Sequence, residues 1–226
     1  MKINLSVFIF LMSVIQLCAQ NQLLVEATEL HDGMQEIYGY QKESEIEGSP
    51  YLSEDKFIGT FYQKNKTVVK TPTRLNCYFG NFEYVANGKT YLVNASTIDS
   101  IKIEKETYVF RTFFNENGGK SIKAVKVIVS QDGKAFYEYK GVELKPEVKP
   151  AGYVDPKPAR FEWSDPIYLF EIKGKVIVLK TLKDIASIFP RNENEIKKLI
   201  KENRISISKP DKLRKLLNYI SQLKEE

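Results

Sequence analysis

YVFRTFFNENGGKSIKAVKVIVSQDGKAFYEYKGVEL, residues 108–144, is the stretch that decides the fold class. Tyr108 to Phe114 carries aromatic and β-branched side chains on both faces, the composition of a buried strand. Asn117-Gly118-Gly119 supplies a turn, and Ala124 to Ser130 reads as the return strand. Asp132-Gly133 turns the chain again into Lys134 to Leu144, where Ala135, Tyr137 and Tyr139 alternate with Phe136, Glu138 and Lys140. Three antiparallel strands in a meander are the expectation.

Working outward, the same grammar recurs. Glu83 to Ala86 and Lys89 to Val93 flank Asn87-Gly88, whose residues tolerate the positive φ of a type I′ turn. Phe57 to Gln63, Thr67 to Val69, Leu75 to Phe79 and Ser100 to Glu104 are further strand candidates. So many consecutive hairpins predict a curved antiparallel β-sheet or partial barrel of about ten strands, because a sheet of that width must curl, split or close. Between Lys145 and Pro166 the pattern breaks, with five of the nine prolines at 146, 150, 156, 158 and 166. Proline removes a ladder donor, so this is a stiff connection or an edge-covering loop. Ile167 to Ile172 and Val176 to Leu179 then form one more hairpin around Lys173-Gly174, expected to join the main sheet.

After residue 180 the hydrophobic period changes from 2 to 3.6. Thr181 with Asp184, Asn192 with Glu195, and Ser208 with Asp211 each match a capping box, with a short acceptor at the N-cap and a carboxylate three residues on. Three short C-terminal helices follow. The first carries Leu182, Ile185, Ile188 and Phe189 and is stopped by Pro190; the second carries Ile196, Leu199 and Ile200; the third carries Leu213, Leu216, Leu217, Ile220 and Leu223. The fold class is therefore α+β. Its organisation is an export signal at 1–19, an antiparallel β body at 20–180 with the Pro-rich connection at 145–166, and a helical segment at 181–226 packed on the sheet.

The signal rests on Lys2, an apolar core from Leu5 to Ile15, and Leu17-Cys18-Ala19 as a cleavage site. That core is about half the roughly 20 apolar residues needed to cross a bilayer, so no transmembrane helix is expected in the mature chain. Cys18 offers a competing lipidation site, but Gln16 and Leu17 precede it where small residues are usual. With Cys18 removed, Cys77 is left alone and no internal disulfide can form.

The net charge of +5 is unevenly placed. Residues 181–226 hold 11 Lys and Arg against 7 Asp and Glu, whereas 20–180 is balanced. The basic helical end could face an anionic surface, an acidic glycan or an acidic protein, with Lys197, Lys198, Lys201, Lys212 and Lys215 along its exposed sides. The ordinary alternative is a solvated set of lysine-rich helices. No nucleic acid is expected as a partner.

The catalytic inventory is thin. His31, beside Asp32-Gly33, is the one histidine and reads as a solvated turn residue, which leaves no imidazole for a Ser-His-Asp or Cys-His mechanism. Cys77 lies among Leu75, Tyr78 and Phe79 and reads as a buried, inert thiol. The chain has no zinc ligand set, P-loop or dinucleotide fingerprint, so no cofactor and no metal is assigned. Glu43, Glu45 and Glu47 would share a strand face and could bind calcium or serve glycoside cleavage, although such a row is ordinarily the wet face of an edge strand. Trp163 could stack on a sugar, yet a lone tryptophan more often anchors a loop to its sheet. Asn65-Lys66-Thr67 and Asn94-Ala95-Ser96 match glycosylation sequons at strand ends.

Glu47-Gly48-Ser49-Pro50-Tyr51-Leu52, Phe57 with Gly59-Thr60, Arg74 with Asn76, and the hairpin from Glu83 to Tyr91 together resemble a group of exported β-rich proteins of Bacteroidota. The similarity extends through the proline segment to the helices near Phe189 and Tyr219. It implies a location in the periplasm or at the surface of a Gram-negative cell, and it transfers no activity and no site. Two functions fit: a non-enzymatic envelope protein that binds a protein, glycan or membrane surface, or a periplasmic carrier sheltering a lipid-like ligand against the curved sheet. An enzyme is not expected; a carboxylate-based hydrolase is the remaining catalytic option.

Overall fold

The structure is a computed structural model that describes residues 28–29, 46–86, 89–114, 119–148 and 157–223. The expected signal at 1–19, His31, Glu43, Glu45 and the turns at Asn87-Gly88 and Asn117-Gly118 lie outside the described residues. The chain divides into two compact units, Met1–Lys105 with Val142–Glu162, and Glu106–Gly141 with Trp163–Glu226. The three helices thus share a unit with five of the strands.

The strands of the first unit are β1 (Thr28–Glu29), β2 (Phe57–Gln63), β3 (Val68–Asn76), β4 (Asn81–Ala86), β5 (Lys89–Leu92) and β6 (Ile98–Ile103). They lie antiparallel in the order β1-β5-β4-β3-β2-β6. Where the sequence suggested two short strands at 67–69 and 75–79, a single β3 runs through Pro72. It can do so because β3 pairs with β4 only from Thr73 to Asn76, so at residue 72 the side toward β4 asks for no ladder bond.

A buried polar knot holds the centre of this sheet. The Glu83 side chain is 1% exposed and accepts from Asn76 Nδ2 at 2.7 Å and from Arg74 Nε at 3.2 Å. The Arg74 guanidinium lies 3.3 Å from the centre of the Tyr51 ring, and Thr73 Oγ1 donates to the Glu83 carbonyl at 2.5 Å. A buried carboxylate is tolerable only when its lone pairs are met by donors, and here both oxygens are. Gly59 is part of the same fit. A Cβ on it would lie 2.5 Å from Thr73 Cγ2 and 3.1 Å from the Phe61 ring. Gly48, at φ +81°, passes so close to strand β11 (Arg160–Trp163) that a Cβ would stand 3.0 Å from the Phe161 carbonyl.

The second unit contains β7 (Glu106–Phe114), β8 (Lys120–Gln131), β9 (Lys134–Tyr139), β12 (Ile167–Ile172) and β13 (Lys175–Leu179), antiparallel in that order. The strand expected at 134–144 is broken by Gly141, and its end becomes β10 (Val142–Lys145), which pairs with β11 in a two-stranded sheet. The hairpin β12–β13 joins the meander through β9, as expected. Asp132-Gly133 (φ 49° and 71°) and Lys173-Gly174 (φ 51° and 73°) both have the paired positive φ of type I′ turns. The five strands curl. Four inter-strand steps would separate β7 from β13 by roughly 19 Å in a flat sheet, yet their Cα atoms come within 8 Å.

Helices α1 (Asp184–Ile188), α2 (Glu193–Glu202) and α3 (Pro210–Gln222) follow, with a 3₁₀ turn, Pro190–Asn192, between the first two. The three helices are where the sequence placed them, but their caps differ. Asp184 accepts from the Thr181 N–H, one half of a capping box, but the Thr181 hydroxyl donates to the same carboxylate and Lys183 holds the N-cap of α1; no side chain caps α1 or α2, and α3 begins at Pro210 with Lys209 at the N-cap. Ser208 exchanges a hydrogen bond with Ser206 instead, since proline at the first helical position already removes an N–H that would need a cap.

Replacing Glu83 by Ala should lower stability by about 3 kcal/mol, because the buried Asn76 amide loses its acceptor and Arg74 falls back on the exposed Glu54 at 3.8 Å. Gly59→Ala should cost about 1–3 kcal/mol through overpacking against Thr73. Urea titration followed by circular dichroism measures both.

Candidate functional site

The two faces of β9 and β12 have separate destinies. On one face Phe136 and Phe170 lie with ring centres 5.0 Å apart and join Val129, Ile172 and Leu179 beneath the helices. Ile185, Ile196, Leu213, Leu216, Leu217 and Ile220 complete that core, all fully buried. The helical spacing of these residues is what docks α1, α2 and α3 on the sheet.

The other face is concave and filled. Phe113, Val125, Ala135, Tyr137 and Leu169 form its apolar cluster, and the Phe113 and Tyr139 rings meet edge to face at 5.5 Å although β7 and β9 are not neighbours. Among these side chains stands a polar group that local sequence signals did not single out. Arg111 Nε donates to Glu171 Oε2 at 2.7 Å, Arg111 Nη2 donates to the Tyr137 hydroxyl at 3.0 Å, and that hydroxyl donates to Glu171. Burial, then the bond to Glu171, pushes the Tyr137 phenol above its ordinary pKa. Burial works against the charge of Arg111, but Glu171 and Tyr137 together outweigh it and raise its pKa. Lys123, opposite Arg111 in the β7–β8 register, is held below the ordinary lysine value by burial. Sixty residues separate Arg111 from Glu171 along the chain, so only the curl reveals them as partners.

An open cleft lies on the helix side. Proline 190 stops α1, the 3₁₀ turn redirects the chain into α2, and the corner so made overhangs the β12–β13 hairpin. Between them is a cleft of about 540 Å³. Ile172, Ile177, Ile188, Phe189 and Leu223, which are buried or half-buried, give it an apolar floor. Lys173, Lys175 and Arg191 are exposed at its mouth, with Asn192 and Gln222 supplying amides. The type I′ turn at Lys173-Gly174 places Lys173 and Lys175 on either side of the hairpin tip. Among the described residues lining the cleft there is no carboxylate, no hydroxyl and no thiol. Such a lining can attract an anion and shelter an apolar group, but it offers no nucleophile and no general acid or base.

The five lysines singled out from sequence are spread over α2 and α3 rather than gathered. Lys197 pairs with Glu193, and Lys198 lies 3.9 Å from Glu202. Lys212 donates to the carbonyls of Asn203 at 2.9 Å and Arg204 at 3.2 Å, so it caps the end of α2. Lys201 and Lys215 are exposed. None of the five lines the cleft. Its cations were present in the sequence only as a turn, Lys173-Gly174, and as the residue after the stop at Pro190.

Cys77 is fully buried, its N–H donating to the Pro50 carbonyl at 2.7 Å. Trp163, expected to anchor its loop, is 51% exposed. Glu47 bridges Arg160 through backbone bonds to Ala159 and Phe161. Asn65 and Asn94 accept hydrogen bonds from the N–H groups of Thr67 and Ser96, respectively, forming local turns. Among the described residues, no group of three His, Cys, Asp or Glu is placed to hold a metal ion, and no helix is long and apolar enough to cross a membrane. No protein-family model, curated protein or solved structure matches the chain.

Two measurements check this geometry. Glu171→Gln should destabilise the protein by about 2 kcal/mol, and the double replacement Arg111→Met with Glu171→Met should recover most of the loss, since it removes both charges together. Asp184 accepts from the N–H groups of Thr181 and Lys180 and from the Thr181 hydroxyl, and these bonds hold its carboxyl below the ordinary value. A depressed folded pKa means that its stabilisation is present above the ordinary carboxylate pKa and is lost as pH falls through the depressed one. At this exposed site the loss should be about 0.5 kcal/mol. Urea midpoints measured from pH 6 to pH 2.5 should show this component, and Asp184→Asn should abolish it.

Proposed function

We propose that the protein is an exported, non-enzymatic binding protein of a Gram-negative envelope and that it receives an anionic partner on the helix side of its second unit. The observation that carries this reading is the cleft, whose apolar floor lies beneath three cationic side chains, Lys173, Lys175 and Arg191. Long-range attraction of an anion toward such a mouth needs no partner of fixed shape, and the basic excess of residues 181–226 adds to the same field. The signal-like residues 1–19 and the resemblance to exported β-rich proteins of Bacteroidota support the envelope setting.

Read as a partial barrel, the curled sheet serves here as a scaffold. A carrier that sheltered its ligand against the concave face would need that face left partly empty, and Phe113, Val125, Tyr137 and Leu169 occupy it. Binding is therefore assigned to the opposite face, where the helices leave space. Lys201 and Lys215 extend the positive surface beyond the cleft, while Lys197, Lys198 and Lys212 serve their own helices.

Co-sedimentation with a Gram-negative envelope fraction tests the proposal. Lys173→Gln, Lys175→Gln and Arg191→Gln together should lower retention at least about threefold at low ionic strength, with added salt producing the same loss in the unaltered protein. Glutamine at Lys197, Lys198, Lys201, Lys212 and Lys215 should have the smaller effect. Retention unchanged in the cleft variant would end this assignment.

A further inference from the structure

We propose that the solvent face of the β2–β3 hairpin is a membrane-contact surface for an anionic lipid bilayer, with Ile58, Tyr62 and Val68 entering the headgroup layer and Lys64, Lys66, Lys70 and Lys102 meeting its phosphates. The surface belongs to the first unit and uses no residue of the cleft. Strand alternation creates it. On β2, Gly59, Phe61 and Gln63 are buried, so Ile58, Thr60 and Tyr62 face solvent. Ile58 is 60% exposed, Val68 53% and Tyr62 41%. Across the ladder Ile58 stands opposite Pro72 and Tyr62 opposite Val68, which makes two apolar cross-strand pairs. A cationic row runs between them, with Thr60 flanked by Lys70 on β3 and Lys102 on β6. The hairpin tip adds Lys64 and Lys66.

All four lysines are exposed, and among the described residues none of them forms an ion pair. Asp99 alternates to the other face of β6, and Glu104 lies in the turn beyond that strand. A phosphate can therefore meet these ammonium groups without displacing a carboxylate. The apolar pairs beside them gain only when withdrawn from water. A bilayer interface satisfies both needs at once, since its phosphates lie over hydrocarbon and tyrosine is a residue of that boundary. A second copy docked on the same face would set lysine against lysine. An acidic protein is disfavoured because the exposed cations here are all lysines. Protein interfaces favour arginine, whose planar fork pairs with fixed carboxylates, whereas a flexible ammonium suits mobile headgroups. Lys70 and Pro72 also deter a peptide strand from adding along β3.

Vesicle flotation tests this surface, using the chain without its signal-like residues 1–19, whose apolar core would bind vesicles by itself. Vesicles of equimolar phosphatidylglycerol and phosphatidylcholine should be bound about tenfold or more tightly than phosphatidylcholine alone at low ionic strength, and added salt should remove the difference. Lys70→Gln with Lys102→Gln should weaken the anionic binding by about tenfold or more. Lys197→Gln with Lys198→Gln removes the same charge from α2 and should weaken it by less than about twofold. Ile58→Ser with Val68→Ser keeps every charge and should still cost about fivefold. Circular dichroism and urea midpoints confirm that each variant is folded. Penetration is read separately: in a Trp163→Phe background, Val68→Trp should emit further to the blue on anionic vesicles and be quenched by lipids brominated in their acyl chains. Equal losses from the two lysine pairs would mean diffuse attraction and would overturn the proposal. An unshifted Val68→Trp emission, with soluble polyglutamate competing for the same lysines, would replace the bilayer by an acidic protein and overturn it as well.

Discussion

The pairing of β9 with β12 is the constraint on which the second unit depends. Because strand side chains alternate, the register that sets Phe136 opposite Phe170 also sets Tyr137 opposite Leu169 and Ala135 opposite Glu171. One set faces the helices and the other faces the hollow of the curl. A slip of β12 by one residue would send Phe170 inward and turn Glu171 toward the helices. The cleft inherits this precision, since its floor residues Ile172 on β12 and Ile177 on β13, the latter opposite Phe170, belong to the same helix-facing set.

Positive charge is placed in three kinds of surroundings. Inside the curl, Arg111 is matched by Glu171 and by a tyrosine hydroxyl, the compensation a half-buried charge requires. On the helices, Lys212 satisfies carbonyls at the end of α2, and Lys197 meets a glutamate one turn away. At the cleft mouth, Lys173, Lys175 and Arg191 surround an apolar floor with no described acidic lining residue.

The distinctive residues between Gly48 and Glu83 are builders of the first unit. Gly48 and Gly59 are demanded by close approach to Phe161 and Thr73, while Tyr51, Arg74, Asn76 and Glu83 form one buried network. Such residues are noticeable in a sequence because few alternatives satisfy the geometry. They say how the sheet is held together and little about what it binds.

Local rules settled much of this protein before any tertiary contact was considered. Period-2 alternation from Tyr108 onward, the Asp-Gly and Lys-Gly turns, and apolar spacing after Thr181 specified antiparallel hairpins and three helices, because each depends on residues within a few positions of one another. Helix starts were legible only to within a residue or two, since Pro210 competes with Ser208 for the beginning of the third helix. Strand breaks at Gly141 and continuity through Pro72 depended on which neighbours pair, and that information is not local. The candidate site was the least legible part. Lys173 and Lys175 read as turn residues and Arg191 as the residue after a stop, while the lysines that stood out belonged to helix caps and i,i+4 pairs. Composition alone determined that positive charge gathers toward the C-terminal end. Only the tertiary structure decided that Arg191 from that end stands with Lys173 and Lys175 of the balanced body at one cleft, because that depends on where α1 stops relative to the β12–β13 hairpin, a distance that the linear chain does not encode.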